Sequence, residues 1–182
     1  MKKNIFKDSL DNLRKVNSLA IMAMLLALNV ILGYFTLQLG DLVKIGYSFI
    51  AVELSSMFFG PTSGMIVGGL GDLLKYIIKP TGPFFPGFTI SAIAGGLIYG
   101  LILYKKPVTL KRIALANGLN CFFVNMVLNT VWLAMLYNQA YIAMVPARFL
   151  KQIIMYPIEV IMFFVVYKVL YKSKFISLVK NK

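Results

Sequence analysis

Most of this 182-residue chain consists of apolar segments of membrane-spanning length, separated by short polar or basic loops. A helix needs roughly 20 apolar residues to cross the hydrocarbon core, and a soluble domain of this size would not bury a composition that is 59% hydrophobic. Six apolar segments are present, at residues 16–39, 47–59, 62–78, 86–104, 113–137 and 146–171. The sequence therefore predicts an all-α integral membrane protein, a single membrane-embedded bundle of about six transmembrane helices.

The second and third segments are shorter than a full crossing and meet at Gly60-Pro61, a pair that ends helices. Two short or tilted spans, or a re-entrant pair, are therefore expected here. The next loop, residues 79–88, reads KPTGPFFPGF, and its prolines oppose helix formation. Its aromatic side chains suit the membrane interface or a lid. Pro146 is expected in the first turn of the sixth helix.

Basic residues cluster in three segments, at residues 2–15, 105–112 and 168–182. Loops that stay in the cytoplasm carry an excess of Lys and Arg, which is the positive-inside rule. An even number of spans places all three segments on one side of the membrane. The sequence therefore predicts that both the N- and C-termini are cytoplasmic. The first apolar run is too long for the core of a cleaved signal peptide and is expected to stay in the membrane.

Residue content argues against several functional classes. The net charge of +13 comes from Lys and Arg at the ends of apolar runs rather than on a solvated stripe, so no nucleic-acid partner is expected. Without histidine and with Cys121 as the single cysteine, no zinc site, disulfide or serine–histidine triad is expected. A GxxxxGKS/T loop for ATP is absent from the sequence. Glu53 and Asp72 are too sparse for a metal-dependent lipid-headgroup transferase. The prediction is a protein without metal, cofactor or enzymatic activity.

Ionisable residues inside membrane spans are costly and are functional candidates by default. The sixth segment places Arg148, Lys151 and Glu159 on one stripe, at helical spacing, and the third segment does the same for Asp72 and Lys75. An excess of cations in the outer half would attract an anionic solute, because the arginine fork binds carboxylate or phosphate. The alternative is a set of structural salt bridges, Asp72 with Lys75 and Glu159 with Lys151 or Arg148.

Amides and an indole recur on the fifth segment, where Asn125, Asn129 and Trp132 follow four- and three-residue spacing. Amides in hydrocarbon either hold helices together or contact a ligand. A planar aromatic solute could stack on Trp132 and hydrogen-bond with Asn129 and a buried carboxylate. Glu159 or Glu53 would supply that carboxylate, since an acid pairs well with an amidine-like ring edge.

Small residues recur four apart, a spacing that lets helices approach closely. Gly64, Gly68 and Gly96 are expected to serve packing inside the bundle. Ala23 and Ala27 on the first segment are expected either to pack internally or to meet a partner subunit.

Several of these segments together resemble a known family, the S components of energy-coupling factor transporters. The six short spans, the basic ends and the Ala23-x-x-x-Ala27 motif are similar to those proteins. FPGFTISAIAGGLIYG at residues 85–100, LNTVWLAMLY at residues 128–137 and PARFLKQIIMYPIE at residues 146–159 resemble the folate-specific branch. The resemblance covers nearly the whole chain.

The resemblance implies a subunit that captures a vitamin from outside with high affinity, in the plasma membrane of a bacterium. Such S components dock onto a module of one transmembrane coupling subunit and two ATPases, which supplies the energy for import. In this family the alanine motif of the first helix contacts the coupling subunit, which assigns Ala23 and Ala27 to docking.

The resemblance also implies that the ligand is folate, held by the outer loops and the last three helices. The two carboxylates of its glutamate tail suit Arg148, Lys151 or Lys75. An S component for another vitamin, such as riboflavin or thiamine, is the alternative within the family. A membrane protein without a transport function is the alternative outside it.

The pterin ring of folate is flat and amidine-like, which matches the aromatic and polar groups of the fifth and sixth segments. Trp132, Asn129 and a carboxylate such as Glu159 are the predicted ring contacts. The loop that ends at Phe88 is expected to cap the site.

Overall fold

The computed structural model describes residues 5–35, 37–39, 43–80, 82–138 and 141–173. Its elements are α1 (Ile5–Leu13), α2 (Val16–Tyr34), β1 (Leu37–Leu39), β2 (Val43–Ile45), α3 (Phe49–Phe59), α4 (Pro61–Ile78), α5 (Pro86–Leu103), α6 (Leu110–Leu119), a π-helix (Asn120–Leu128), α7 (Asn129–Tyr137) and α8 (Tyr141–Lys172). The helical class predicted from the sequence is confirmed, with one short hairpin of strands added to it.

Four helical stretches among the described residues are long and apolar enough to cross a membrane, and they are Val16–Tyr34, Pro86–Leu103, Leu110–Tyr137 and Arg148–Lys172. These correspond to the first, fourth, fifth and sixth predicted segments. The second and third segments form α3, with 11 residues, and α4, with 18 residues. The two helices are joined at the predicted Gly60-Pro61 break. The molecule is therefore a helical membrane bundle that contains one short hairpin of helices.

The first apolar segment is not helical over its full predicted length of residues 16–39. α2 ends at Tyr34, and β1 then pairs antiparallel with β2, with Leu37 opposite Ile45. β-Branched residues such as Val43 and Ile45 favour strands, and the antiparallel pairing satisfies backbone groups that a longer helix would otherwise have bonded.

Pro86 and Pro146 occupy positions in helices that differ from those the sequence predicts. Pro86 is the first residue of α5, so the predicted non-helical loop ends before residue 88. A first-turn proline costs the helix no hydrogen bond, because its missing N–H has no intrahelical partner. Pro146 lies inside α8 rather than in its first turn, because α8 already begins at Tyr141, and Pro157 lies inside the same helix. Membrane helices tolerate such interior prolines.

The amphipathic helix α1 fastens two turns at one end of the bundle. Ser9 Oγ donates to the Phe59 carbonyl at 2.8 Å and accepts from the Thr62 N–H at 3.1 Å. Asn12 Nδ2 donates to the hydroxyl oxygen of Tyr104 at 3.1 Å. The α3–α4 turn and the end of α5 therefore lie at the same end of the bundle as α1.

The α3–α4 turn depends on glycine for both its conformation and its close approach to α1. Gly60 has φ of 97°, in the left-handed region, and an added Cβ would lie 2.7 Å from Ser9 Oγ. At the same end, Lys105 forms an ion pair with Asp8 at 2.5 Å. The hydrogen bond to Asp8 raises the pKa of the Lys105 ammonium.

The core between the helices contains several large, fully buried side chains. Tyr99, Ile113 and Phe163 are among the largest fully buried side chains. α4 and α5 approach each other closely, and a Cβ on Gly96 would overlap the carbonyl of Gly64. These glycines pack helices inside the bundle, as the sequence predicts. A cavity lies at the opposite end of the bundle from α1.

Candidate functional site

A cavity of about 640 Å³ lies at the end of the bundle opposite α1. Its wall is formed by the C-terminal ends of α2 and α4, the N-terminal parts of α3, α5 and α8, the π-helix and α7. Residues 82–85, between α4 and α5, also line it. The volume falls within the range of roughly 300–1,000 Å³ that is typical of small-molecule sites.

The described cavity wall carries more positive than negative side chains. The cations are Lys75, Lys79, Arg148 and Lys151, and the carboxylate among the described lining residues is Asp72. Charges that are shielded from bulk water interact more strongly than charges on an open surface. The wall therefore favours an anionic solute.

Arg148 reaches from α8 to the π-helix and the start of α7. Its Nη1 donates to the main-chain oxygen of Asn125 at 3.0 Å and to Thr130 Oγ1 at 3.2 Å. Two anchored hydrogen bonds fix the plane of the guanidinium, whose five N–H groups point in set directions. The side chain is thereby held at the cavity wall in one orientation.

Lys75 of α4 and Lys79, which directly follows α4, extend toward α2 and α3. The stem of Lys75 passes directly over Gly33, where an added Cβ would lie 2.7 Å from Lys75 Cγ, and its Nζ donates to Ser48 Oγ at 3.3 Å. Lys79 Nζ donates to the Tyr34 carbonyl at 3.0 Å and lies 4.9 Å from the centre of the Tyr34 ring. Gly33 therefore provides the space through which Lys75 enters the site.

The acidic residues of the two charged stripes have different surroundings. Asp72 Oδ2 accepts from Thr89 Oγ1 at 2.8 Å. Among the described side chains, no ion pair within 4.0 Å joins Asp72 to Lys75, so the structural salt bridge considered between them is not formed. Glu159 interacts electrostatically with Lys151, its neighbour two turns earlier on α8.

The π-helix turns a row of amides toward the cavity. Asn120, Asn125 and Asn129 all line the wall, although they are separated by five and four residues. The i→i+5 bonding of a π-helix advances each residue by a smaller angle than an α-helix does, so residues four or five apart share a face. Asn129 Nδ2 donates to Asn125 Oδ1 at 3.2 Å, which links two of these amides.

Two buried amide oxygens of the wall have no hydrogen-bond partner within the described part of the chain. They are the acceptors Asn120 Oδ1 and Asn129 Oδ1. Buried polar groups in proteins nearly always have partners. These atoms are therefore groups that a bound polar solute can satisfy.

Aromatic side chains cover one side of the cavity, with Trp132 behind them. Phe85 and Phe88 line the wall with ring centres 6.1 Å apart. Trp132 packs against Phe85 at 5.8 Å, and its Nε1 donates to Ser91 Oγ at 3.0 Å. Gly87 makes room for the indole, since an added Cβ would lie 2.5 Å from Trp132 Cδ2. Trp132 thus supports the wall rather than forming part of it.

The structure brings five of the predicted ligand-contacting residues to this cavity, and they are Lys75, Phe88, Asn129, Arg148 and Lys151. Trp132 and Glu159 lie outside the described wall. Glu159 is 11 residues beyond Arg148, which is about 16 Å along a helix axis. Glu53 is fully buried and accepts from Asn117 Nδ2. The wall carboxylate is Asp72, which the sequence indicated only through its spacing from Lys75.

The two predicted docking alanines lie on the outer surface of α2. Ala23 and Ala27 are exposed, whereas Met22 and Asn29 on the same helix are buried. Asn29 Nδ2 donates to the Ser48 carbonyl at 3.1 Å, which fixes the inner face of α2 against the start of α3. The alanine face is therefore turned away from the bundle.

A helical membrane bundle with a polar, cation-rich cavity at one end defines a membrane-embedded solute-binding protein. The family model for the substrate-specific component of ECF transporters matches residues 17–171. The folate transporter FolT of Clostridium novyi (strain NT) is 38% identical over 156 residues, which cover 86% of this chain and 91% of that protein. The folate transporter FolT of Leuconostoc mesenteroides is 32% identical over 146 residues, covering 77% and 78%.

Two solved structures have folds similar to that of this chain. A crystal structure of FolT bound with folic acid has a TM-score of 0.78 and 32% identity, covering 84% of this chain and 93% of that one. The S component of a bacterial ECF transporter shares the fold, with a TM-score of 0.67 and 21% identity, covering 85% of this chain and 95% of that one. The chain therefore belongs to the substrate-specific components of ECF transporters, in the branch of the FolT folate transporters, as its sequence predicts.

Proposed function

We propose that this chain captures folate at the cation-rich cavity and delivers it to an ATP-driven ECF importer. The observation that carries this proposal is the grouping of four cations, one carboxylate and a row of amides around one cavity, in a chain of the FolT branch. A FolT structure of the same fold holds folic acid. Folate offers a dianionic tail and a polar planar ring, which are the two kinds of group that this wall is suited to bind.

The glutamate tail binds among the cations near the mouth of the cavity. Arg148, Lys151 and Lys75 are assigned to its two carboxylates, because charge-assisted hydrogen bonds are the strongest that these groups form. Lys79, at the end of α4, completes this cationic group. The tail is therefore the main source of electrostatic binding energy.

The pterin ring lies deeper, between the aromatic side and the amide row. Phe88 packs on the ring, and Asn129 hydrogen-bonds to its edge. Asp72 lies beside the amidine-like edge, a position for which the sequence predicts Glu159. Trp132 acts through Phe85 and Ser91, the two wall residues that it contacts. Glu159 acts through Lys151.

The proposed topology places the cavity on the outside of a bacterial plasma membrane. Six crossings in one membrane domain put α1, the α3–α4 turn and both termini in the cytoplasm, and the position of α1 against these turns supports that arrangement. The exposed Ala23 and Ala27 face is the docking surface for the transmembrane coupling subunit, which carries the two ATPases. The chain itself binds and presents the vitamin and performs no catalysis.

Ligand-dependent melting of the purified protein tests the assignment. A ligand present at 100 times its dissociation constant stabilises the folded state by about 2.7 kcal/mol, so folate is expected to raise the melting temperature clearly. Riboflavin and thiamine at the same concentration are expected to leave the melting temperature unchanged. Stabilisation by either of these vitamins without stabilisation by folate would overturn the folate assignment.

A further inference from the structure

A buried chain of hydrogen bonds runs from the core to the inner wall of the cavity. Asn117 Nδ2 donates to both carboxylate oxygens of Glu53, at 3.2 and 3.3 Å. The hydroxyl of Tyr99 donates to Asn117 Oδ1 at 3.1 Å, and Asn120 Nδ2 donates to the same hydroxyl at 2.9 Å. We call Glu53, Asn117, Tyr99 and Asn120 the polar relay. It joins α3, α5, α6 and the π-helix.

Three of the four members of the polar relay are almost completely buried. Glu53 is 0% exposed, Asn117 is 1% exposed and Tyr99 is 2% exposed. Tyr99 and Asn120 both line the cavity, whereas Glu53 and Asn117 lie behind the described wall. The relay therefore has one end in the core and the other end at the ligand site.

The direction of every hydrogen bond in the polar relay follows from Asn117. Its Nδ2 faces three acceptors, the two oxygens of Glu53 and the Ile113 carbonyl at 3.1 Å. A main-chain carbonyl only accepts, so the amide cannot reverse without placing its own oxygen against that carbonyl. Asn117 Oδ1 is thereby turned to accept from Tyr99. The Tyr99 oxygen in turn accepts from Asn120 Nδ2.

The last step fixes what Asn120 presents to the cavity. With Nδ2 held by Tyr99, Asn120 Oδ1 lies over Gly95, where an added Cβ would be only 2.9 Å from it. This oxygen is buried and has no partner among the described residues. An acceptor held in one orientation discriminates strongly between ligands that carry a donor there and ligands that do not, because the unmatched acceptor would stay buried and unpaired.

We propose that Asn120 determines specificity by accepting a hydrogen bond from the ring amino group of the ligand, with Tyr99, Asn117 and Glu53 acting as positioning residues that hold its amide in the required orientation. This inference rests on the proposed folate function. It adds a role for the buried Glu53, which helps to orient the Asn120 amide without contacting the ligand.

The test measures discrimination rather than affinity alone. Dissociation constants are determined for folate and for an analogue that carries a 2-methyl group in place of the 2-amino group. The unaltered protein is expected to prefer folate by about ten- to a hundredfold. In Tyr99→Phe, which frees the Asn120 amide to rotate, this preference is expected to fall by at least roughly fivefold. Asn120→Ala is expected to lower the preference at least as much as Tyr99→Phe does, with the contribution of Asp72 remaining.

Tyr156→Phe is the matched control, since Tyr156 lies outside the described cavity wall and its hydroxyl donates to the Ala114 carbonyl at 3.1 Å. It loses one partly buried interhelical hydrogen bond from a tyrosine hydroxyl, and its preference for folate is expected to be unchanged. In the double variant, Tyr99→Phe is expected to have no further effect on the preference once Asn120→Ala is present.

The outcomes separate this inference from the function on which it rests. Folate binding by the unaltered protein, with the same preference in Tyr99→Phe and Asn120→Ala, would overturn the polar relay alone. A loss of affinity that is equal for both ligands in these variants would do the same. Failure of the unaltered protein to bind folate would overturn the proposed function, and the specificity role of Asn120 with it.

Discussion

Arg148 Nη1 donates to the main-chain oxygen of Asn125 at 3.0 Å, which fastens the last helix to the π-helix at the cavity wall. The contact joins the cation best suited to bind a carboxylate to the element that carries the amide row. A solute whose tail binds at Arg148 can therefore extend along the amide row toward Asn129. The cationic and amide parts of the site thus form one continuous surface.

Arg148→Ala is expected to weaken folate binding by about 10- to 150-fold, the range for a hydrogen bond to a charged group. Pteroic acid, which lacks the glutamate tail, is expected to lose much less, because its ring contacts remain. Titration calorimetry with both ligands measures the difference. Lys172→Ala, at the far end of α8, is the control and is expected to change neither affinity. An equal loss for folate and pteroic acid would show that Arg148 does not hold the tail.

Gly33→Ala is expected to weaken folate binding about as much as Lys75→Ala does. A Cβ at residue 33 would occupy the path of the Lys75 stem and push its ammonium out of the site. Measured as a double-mutant cycle, the two changes are expected to be strongly non-additive. Gly118→Ala is the control, since its Cβ would meet Tyr156 only at 3.6 Å. Additive losses would indicate that Gly33 acts independently of Lys75.

Trp132→Phe is expected to reduce stability more than ligand binding. The change removes the Nε1 bond to Ser91 and leaves a buried hydroxyl without its partner, at a cost of about 1–3 kcal/mol. Melting temperature is therefore expected to fall, with folate affinity changing less than about threefold. Phe85→Ala, which removes a side chain of the wall itself, is expected to show the opposite balance. Lost folate affinity with unchanged melting in Trp132→Phe would place the indole in direct contact with the ligand.

Ser9→Ala is expected to loosen α1 from the α3–α4 turn without changing the ligand site. It removes a donor to Phe59 and an acceptor for Thr62, both in part of the molecule far from the cavity. The melting temperature without ligand is expected to fall by an amount equivalent to about 1–3 kcal/mol. Asp11→Ala on the exposed side of the same helix is the control. A large change in folate affinity in Ser9→Ala would contradict this separation.

The charged stripes of the third and sixth segments were predictable, because regular α-helical spacing holds in α4 and α8. Lys75, Arg148 and Lys151 reach one cavity for that reason. Trp132 shows where the spacing argument fails. Trp132 follows Asn129 by three residues in α7, which places it about 60° around the helix, and it packs against Phe85 instead of lining the wall. Glu159 lies on the expected stripe but too far along α8 to reach the wall.

The hydrogen-bonding partners of buried groups also could not be predicted from the sequence. Glu53 was visible as a costly charge within a span, but its contact with Asn117 joins residues 64 positions apart. Such pairs depend on how three or more helices pack, which no local spacing encodes. The α1 helix was likewise hidden, because its nine residues lie within a basic segment that the sequence explained by orientation alone.

A crystal structure of the purified protein with folic acid tests whether and how the cavity holds the vitamin. The glutamate carboxylates are expected to lie within hydrogen-bond distance of Arg148 and of Lys151 or Lys75. The pterin ring is expected between Phe88 and the amide row, with its edge toward Asp72 and Asn129. Folic acid bound outside the cavity, or with its ring among the cations and its tail at the amide row, would contradict this arrangement.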